Sequence, residues 1–382
     1  MDDFSFQIQS SRSQGRYLIA SSSLSQSECV LTSRSFAFGI FDSYRKRLCA
    51  QCLKSAESTH PHRCSHCDSF YYCSLACRDA HQGPLDHPLH HSLICSLLRK
   101  LATFKCPQHE KSVLKLVTMV LYQRQLDSNG WTRNEMTDLE RFVDLDLETS
   151  QEDSSLELTM DEDSVSQMDT PKRPTWTDAI ALQSHFHEWT ISDQKDWKKS
   201  QKFIIPLLVS ASLLDKSDSD EKHVEELMHW VSRIESNGFG LWSSGKNITC
   251  MGRALFPLAS YFNHSCDPNC TCEQSGDVLK VFTNCDIHAG IFLGQRLTCI
   301  GEELTISYID TNLPFQARQA KLSEDYFFKC GCTRCTLEER AGKTGKLTYP
   351  QSSAKKPKPK MKKIKEARGQ EQQTIVQDED NL

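Results

Sequence analysis

Hydrophobic and polar positions follow different periods in successive stretches of the chain. Between residues 16 and 48, short runs rich in β-branched and aromatic residues are separated by serine-rich turns, which predicts strands. From Leu97 to Leu126 apolar residues recur at helical spacing, and helical patterns resume over 175–235. Residues 237–310 return to short strands and turns. The pattern as a whole predicts a mixed α+β fold.

Two polar segments fall outside this pattern. Residues 134–170 hold 13 acidic residues and one basic residue, too little apolar surface to offset ordering, so we expect a disordered surface loop. The tail after Gly342 contains seven lysines between Lys355 and Lys365. The loop is either inert or docks basic segments. The lysines suit a nuclear localisation signal, a nonspecific nucleic-acid contact or a solvated tail.

The composition of the chain indicates the cellular compartment in which it works. The chain has 382 residues, 18 cysteines and a net charge of -5, which gives no case for membrane binding, or for nucleic-acid binding outside the basic tail. The N-terminus lacks the basic and apolar regions of a secretory signal. The longest apolar run, Phe203–Leu214, is too short to span a bilayer and predicts a buried helix. We therefore expect a nuclear or cytoplasmic protein whose clustered cysteines bind metal.

Cysteine spacing predicts two zinc sites early in the chain. Ligands occur in four closely spaced pairs: Cys49 and Cys52, Cys64 and Cys67, Cys73 and Cys77, His91 and Cys95. A structural zinc needs four ligands, so in a cross-braced arrangement the first and third pairs share one ion and the second and fourth share another. His91 is preferred over His87 and His90 because it lies one helical turn from Cys95. The other histidines are expected on the solvated surface: His62, His66, His81, His87 and His90.

This stretch resembles the MYND zinc finger, most clearly at Tyr71–His81, which is similar to the third ligand pair of that family. The chain departs from the family between Cys77 and His91, where it is longer than usual and lacks the customary tryptophan. MYND fingers generally bind proline-containing peptides, so the resemblance implies partner docking. A purely architectural module is the alternative.

Four ordered segments and a final cysteine cluster carry a second resemblance. They are Gly15–Ser21, Ser236–Trp242, Phe262–Cys270, Gly301–Ile309 and Tyr326–Cys335. Together they resemble the SET domain of lysine methyltransferases, and Asn263–Asn269 (NHSCDPN) is the rarest phrase among them. A SET domain split by a MYND finger points to the SET-and-MYND family. The resemblance covers about residues 15–338 and implies a short form without the family's C-terminal helical-repeat domain.

The resemblance also implies site residues. S-adenosylmethionine would be held by Gly15, Arg16, Tyr17, His185, Asn237, Asn263, His264, Tyr308, Tyr326 and Phe328. Tyr308 would be the catalytic tyrosine, and Tyr326 would line the lysine channel. Cys266 would complete a third zinc site with Cys330, Cys332 and Cys335. Tyr17 stands where the family usually has a second glycine. A bulky residue there would either tighten the cofactor site or spoil it, and the second outcome would favour a weak or inactive enzyme.

Methyl transfer is an in-line displacement, for which the protein supplies orientation and electrostatics. Because a narrow apolar channel would lower the pKa of the incoming lysine, we expect no dedicated base. The predicted function is S-adenosylmethionine-dependent methylation of a lysine in histone or non-histone proteins. The alternative is an adaptor whose finger binds proline-containing peptides beside a weak or inactive SET domain.

The expected fold is a knot-like SET β domain split by the finger and by a helical insert, in a monomeric chain with three zinc ions. Its expected parts are 1–48 and 236–310 for the SET halves, 49–95 for the finger, 96–235 for the insert with the loop 134–170, 311–340 for the post-SET zinc segment, and 341–382 for a disordered basic tail.

Overall fold

The computed structural model describes most of the chain outside a few segments. The described residues are 5–11, 15–83, 91–128, 171–243, 248–289, 291–293, 296–299 and 301–344. The predicted acidic loop, the lysine-rich stretch, His87 and His90 lie outside these residues. Helices and strands alternate in blocks, which confirms the predicted mixed α+β fold.

The strands are short, and most fall into the two predicted blocks, residues 16–48 and 237–310; the first strand precedes these blocks, and two short strands lie between residues 62 and 72. Numbered in chain order, they are β1 Phe6–Ser11, β2 Gly15–Ala20, β3 Cys29–Arg34, β4 Ala37–Ile40, β5 His62–Arg63, β6 Tyr71–Tyr72, β7 Gly238–Trp242, β8 Cys250–Leu255, β9 Asn263–His264, β10 Cys270–Ser275, β11 Val278–Thr283, β12 Ile291–Leu293, β13 Arg296–Cys299 and β14 Thr305–Ile306.

The helices lie between these blocks and at the C-terminal end of the described chain. They are α1 Leu75–Gln82, α2 Ser92–Thr103, α3 Gln108–Ser128, α4 Trp176–Ile180, α5 Ile191–Asp196, α6 Lys198–Ser210, α7 Asp220–Asn237, α8 Phe315–Tyr326 and α9 Thr333–Thr344. Among the described residues, no helix combines the length and apolar character that crossing a membrane requires.

Strands from the two ends of the sequence pair with each other. One three-stranded sheet has the order β10-β11-β3, and another has the order β4-β8-β7. Strands β9 and β14 pair in parallel, with Asn263 opposite Thr305 and His264 opposite Ile306. Ile19 of β2 also bridges to Glu303. The chain before the helical block and the chain after it therefore form one β structure.

Helix α3 packs between the sheet of β4 and helix α7, and nearly all of its middle turns are buried. The close approach depends on Gly39 of β4, because a Cβ at that position would lie 2.5 Å from the main-chain oxygen of Ser112. No side chain fits at that distance, so glycine is required where the helix crosses the strand.

Two predicted helices have different limits in the structure. The single pattern over Leu97–Leu126 is broken into α2 and α3, and α3 begins directly after Pro107, which has no N–H to continue α2. The predicted buried helix at Phe203–Leu214 ends at Ser210, because Ser212 takes a left-handed φ of 57°. Pro206 lies inside α6 and faces solvent.

Candidate functional site

Cysteine and histidine side chains converge in three clusters of four. Within each, the ligand atoms all lie within 4.8 Å of one another. The first cluster is Cys49, Cys52, Cys73 and Cys77; the second is Cys64, Cys67, His91 and Cys95; the third is Cys266, Cys330, Cys332 and Cys335. The structure thus brings together the first with the third pair and the second with the fourth.

Local capping explains the first cluster. Ser74 caps α1 by accepting a hydrogen bond from the Cys77 amide at 3.1 Å, so Cys77 is fixed in the first helical turn. Cys73 comes just before that cap, and its sulfur lies 3.5 Å from Cys77 Sγ and 3.7 Å from Cys52 Sγ. These separations are far longer than a disulfide bond of about 2.05 Å, so the thiols are separate donors.

The second cluster is more deeply buried. Cys64 Sγ lies 3.8 Å from Cys95 Sγ, and Cys67 Sγ lies 3.7 Å from His91 Nε2. Four sulfurs arranged tetrahedrally at about 2.3 Å from a zinc ion would be about 3.8 Å apart. The donor types and the spacing therefore fit zinc, and His91, which is fully buried, is the histidine that the structure brings to the thiols.

The prediction for His81 is wrong. It was expected on the solvated surface, but only 6% of it is exposed. Helix α1 turns His81 inward, where its Nδ1 lies 3.0 Å from the Tyr72 hydroxyl and its ring meets the edge of Phe70 at 5.1 Å. Its burial comes from packing against residues just before α1 and against Phe38 of β4, whose ring centroid lies 6.1 Å away.

The third cluster joins distant segments of the chain. Cys266 follows β9. Cys330 and Cys332 lie between α8 and α9, and Cys335 lies in the first turn of α9. Cys266 Sγ is 4.0 Å from Cys330 Sγ and 3.4 Å from Cys335 Sγ. A metal here would therefore fix the segment after α8 against the turn that follows β9.

Four aromatic rings meet beside this cluster. The ring of Tyr308, two residues after β14, lies 5.1 Å from Tyr326, 5.4 Å from His264 and 6.5 Å from Phe328, measured between centroids. Phe327, between two of these residues, has a φ of 62° in the left-handed region. The turn that it makes ends α8, and the Phe327 ring instead stacks on another segment of the chain.

Tyr308 is the most constrained of these side chains. Its hydroxyl donates to the Phe262 carbonyl oxygen at 2.7 Å, and its amide donates to His264 Nδ1 at 3.0 Å. Burial, together with the negative charge of Glu303, raises the pKa of Tyr308 above its ordinary value of about 10. Burial likewise raises the pKa of Tyr326. Both phenols therefore stay protonated at neutral pH.

The side chains of Asn263 and His264 contact protein atoms. Asn263 Nδ2 donates to Glu303 Oε1 at 3.0 Å. Because His264 Nδ1 accepts the Tyr308 amide proton, the neutral imidazole carries its own proton on Nε2, which lies 3.3 Å from Cys266 Sγ. His264 therefore links the third cluster to the backbone of Tyr308.

The N-terminal residues of the predicted cofactor site lie at the start of β2. Gly15 has a φ of 67°, and a Cβ there would meet nothing nearer than Gln183 Oε1 at 4.0 Å. The Arg16 guanidinium lies over the Tyr261 ring at 4.7 Å and donates to the Ala181 carbonyl oxygen. Tyr17 is half-buried, opposite Gln9 in the β1–β2 pair. The backbone of β2 thus borders the segment around residue 183.

The end of α7 supports the same segment. Asn237 Nδ2 donates to the Gln183 carbonyl oxygen at 3.0 Å. His185 Nδ1 lies 2.6 Å from Glu188 Oε2, and the His185 ring stacks on Phe327 at 4.9 Å. This stack connects the cofactor residues predicted near β2 to the aromatic group around Tyr308.

Several residues of this site are not found by reading the sequence. Tyr261 and Arg318 have no pattern that marks them, because each acts through a contact distant in sequence. Phe327 lies inside the quoted Tyr326–Cys335 segment, but its stack on His185 cannot be read from that segment. Glu303 lies inside the quoted Gly301–Ile309 segment, so its place in that segment could have identified it as a residue of the site.

Comparison with known proteins identifies the class. The SET domain family profile matches residues 15–309. Since this is well over half of the chain, the chain belongs to the SET domain family, as the resemblance predicted.

Individual relatives agree with this assignment. A SET and MYND domain-containing protein of Dictyostelium discoideum is 26% identical over 352 residues, covering 86% of this chain and 81% of the relative. The N-lysine methyltransferase SMYD2-B of Xenopus laevis is 23% identical over 85% of this chain, and the histone-lysine N-methyltransferase Smyd1 of Mus musculus is 23% identical over 86%. The chain spans only 59% and 55% of these last two relatives.

A solved structure titled as the SET domain of LSMT bound to lysine and AdoHcy also matches, with a TM-score of 0.32 and 13% identity. It covers 86% of this chain and 54% of that chain. The family assignment does not depend on this likeness.

Proposed function

We propose that this chain is an S-adenosylmethionine-dependent protein-lysine N-methyltransferase. The observation that carries the proposal is the parallel pairing of β9 with β14, which sets the buried Tyr308 beside His264, Tyr326 and Phe328. Membership of the SET domain family and the lysine methyltransferase names of its relatives support the same activity.

Zinc is the proposed metal of all three clusters. Two clusters offer four thiols, and the second offers three thiols and an imidazole, which are the donor sets of structural zinc sites. Each cluster already has four donors, so none leaves the open position that a catalytic zinc needs. The proposed role of the metals is therefore structural.

The chemical types of the residues at the proposed cofactor site suit S-adenosylmethionine, which carries an adenosyl group and an amino acid group. When bound, S-adenosylmethionine would supply a methyl group on a positively charged sulfur. The main chain at Gly15 is open to close approach, and Asn237, Asn263 and His264 remain the proposed polar residues of the cofactor site, although the side-chain nitrogens of all three also bind protein atoms. Phe328 contributes an aromatic face, which suits a purine ring.

The buried tyrosines explain how the chain would prepare a lysine. A lysine amine placed among the rings of Tyr308 and Tyr326 loses water, and desolvation lowers its pKa from about 10.4. The amine therefore reaches the site neutral and needs no protein base. The Tyr308 hydroxyl, held by the Phe262 carbonyl, would keep the amine in line for displacement.

The proposed substrate is a lysine side chain in a protein. The relatives are named for both histone and general lysine methylation, so histone and non-histone substrates are both proposed. We also propose that the finger docks proline-containing peptides, and that the chain is a monomer of the nucleus or cytoplasm.

Radiolabelled methyl transfer tests the proposal. The full chain, loaded with zinc, would be incubated with labelled S-adenosylmethionine and with histones or cell extract, and labelled lysines would be mapped. Calorimetry on the same preparation would measure cofactor binding. We expect labelled lysine and measurable binding. Folded protein that neither binds the cofactor nor labels any lysine would instead support the adaptor alternative.

A further inference from the structure

Arg318 is a fully buried cation that methyl transfer itself does not use. Only 1% of it is exposed, although it carries a permanent charge. A buried guanidinium is destabilising unless its N–H groups find partners. Its partners include the Leu313 carbonyl oxygen, just before α8, at 2.7 Å from Nη1, and the Glu338 carboxylate of α9.

Two further contacts of Arg318 end on sulfur. Nε lies 3.2 Å from Cys266 Sγ, and Nη2 lies 3.7 Å from Cys335 Sγ. Both sulfurs belong to the third cluster. A guanidinium has only donor groups, so these contacts are N–H···S hydrogen bonds in which the sulfur accepts.

The charge of the third cluster explains why a cation belongs there. Four thiolates around a divalent ion leave a formal charge of about -2, compared with about -1 for three thiolates and a neutral imidazole. The first cluster also has four thiols, but Cys73 is exposed, and water can offset its charge. Three members of the third cluster are buried, so its charge must be offset by protein groups.

The same sulfur reaches the proposed catalytic tyrosine. Cys266 Sγ accepts from Arg318 Nε and from His264 Nε2, and His264 Nδ1 accepts from the Tyr308 amide. Three consecutive hydrogen bonds therefore run from Arg318 through Cys266 and His264 to the backbone of Tyr308.

We propose that Arg318 is a positioning residue that holds the third-cluster metal through the sulfurs of Cys266 and Cys335, and through Cys266 and His264 sets the backbone of Tyr308. The proposal rests on the proposed zinc occupancy and methyltransferase function. Arg318 touches neither lysine nor cofactor in this role, and its effect on transfer is indirect.

Zinc release from the full chain tests this proposal without measuring transfer. A chromophoric chelator would record the release of each zinc from wild type, and Cys332→Ser would identify the phase that belongs to the third cluster. Arg318→Met keeps the bulk of the side chain and removes its N–H donors. The matched control is Arg334→Met, because Arg334 also binds Glu338 and donates to the Cys266 carbonyl oxygen, not to sulfur.

We expect Arg318→Met to release the third zinc about 10–100-fold faster, the effect of losing a hydrogen bond to a charged group. The other two phases should not change, and Arg334→Met should stay within about fivefold of wild type. Release at the wild-type rate, or equal acceleration in both variants, would overturn the role of the N–H···S bonds. These results are read independently of whether wild type transfers methyl groups.

A second variant covers the case in which Arg318→Met does not fold. Arg318→Lys keeps the charge but not the planar set of donors, so it should accelerate release by a smaller factor. In cobalt-substituted protein, its sulfur-to-metal charge-transfer band should shift to longer wavelength, because a sulfur that loses an N–H donor gives up electron density more easily. Wild-type release together with an unshifted band would refute the proposal.

Discussion

Replacing Tyr308 by phenylalanine removes one hydroxyl group from the centre of the proposed site. The ring is 8% exposed and packs against Tyr326 and His264, and phenylalanine keeps these contacts. What is lost is the hydrogen bond of 2.7 Å to the Phe262 carbonyl oxygen. The substitution therefore isolates the contribution of the hydroxyl from that of the ring.

The structure sets the size of two separate effects. The Phe262 carbonyl loses its donor in a buried place, which should lower the free energy of unfolding by about 1–3 kcal/mol. If the hydroxyl also aligns the amine, turnover should fall at least about 100-fold, or about 2.7 kcal/mol in activation free energy. Cofactor affinity should change only a few-fold, since the ring remains.

Tyr72→Phe is the matched control for this experiment. Tyr72 is also a buried tyrosine whose hydroxyl makes one hydrogen bond, 3.0 Å from His81 Nδ1, and it lies in the finger. It should cost similar stability and leave transfer unchanged. Turnover would be measured with labelled cofactor, affinity by calorimetry and stability by urea unfolding. Near-normal turnover of Tyr308→Phe, or an equal loss in both variants, would remove Tyr308 from its assigned role.

Four further outcomes are expected. Metal analysis should give three zinc ions for wild type and two for Cys266→Ser, with weaker cofactor binding; three in the variant would contradict the third site. Glu235→Leu should cost about 3–5 kcal/mol in urea unfolding, because Arg253 Nη1, buried 3.5 Å from Glu235 Oε1, loses its counter-charge; a loss below about 1 kcal/mol would contradict this. The pKa of Tyr308 is higher in the folded than in the unfolded protein, so the Tyr308 hydroxyl contributes fully to the free energy of unfolding below the unfolded pKa and contributes less above it. Unfolding measurements should therefore show the difference in stability between wild type and Tyr308→Phe narrowing above about pH 10, and a widening difference would contradict this. Burial raises the pKa of Cys106 to about 11, so mass spectrometry should find it alkylated slowly at pH 8, and labelling as fast as in unfolded protein would argue against its burial.

The metal clusters show what sequence reasoning reaches well. Ligands separated by two or three residues report local geometry, so the four pairs could be predicted from spacing, and the cross-braced arrangement then assigned them to the first and second clusters. The third cluster could not, because Cys266 lies 64 residues from Cys330. Only the family resemblance linked them, and the roles of the site residues remain predictions.

Other features depend on contacts that no local pattern encodes. His81 has the polar character of a surface residue, but α1 buries it against Phe70 and against the distant Phe38 of β4. Phe327 takes a left-handed conformation, which glycine adopts most readily, and its ring stacks on His185, a contact 142 residues away in sequence that no local pattern encodes. The acidic loop and the basic tail, predicted from composition, lie outside the described residues.

The positions of the cluster ligands along the sequence have a consequence for synthesis of the chain. The first two clusters have all their ligands once Cys95 has been made, so the finger can take up metal early. The third cluster waits for Cys335, which follows after on the order of ten to fifty seconds of translation. The bridge from Ile19 likewise waits for Glu303, and the proposed methyl-transfer site is incomplete until Tyr326 and Phe328 have been made. An unfinished chain would thus hold complete ligand sets for the first two clusters and an incomplete third cluster, so a shortage of metal late in synthesis would affect the proposed methyl-transfer site and spare the finger.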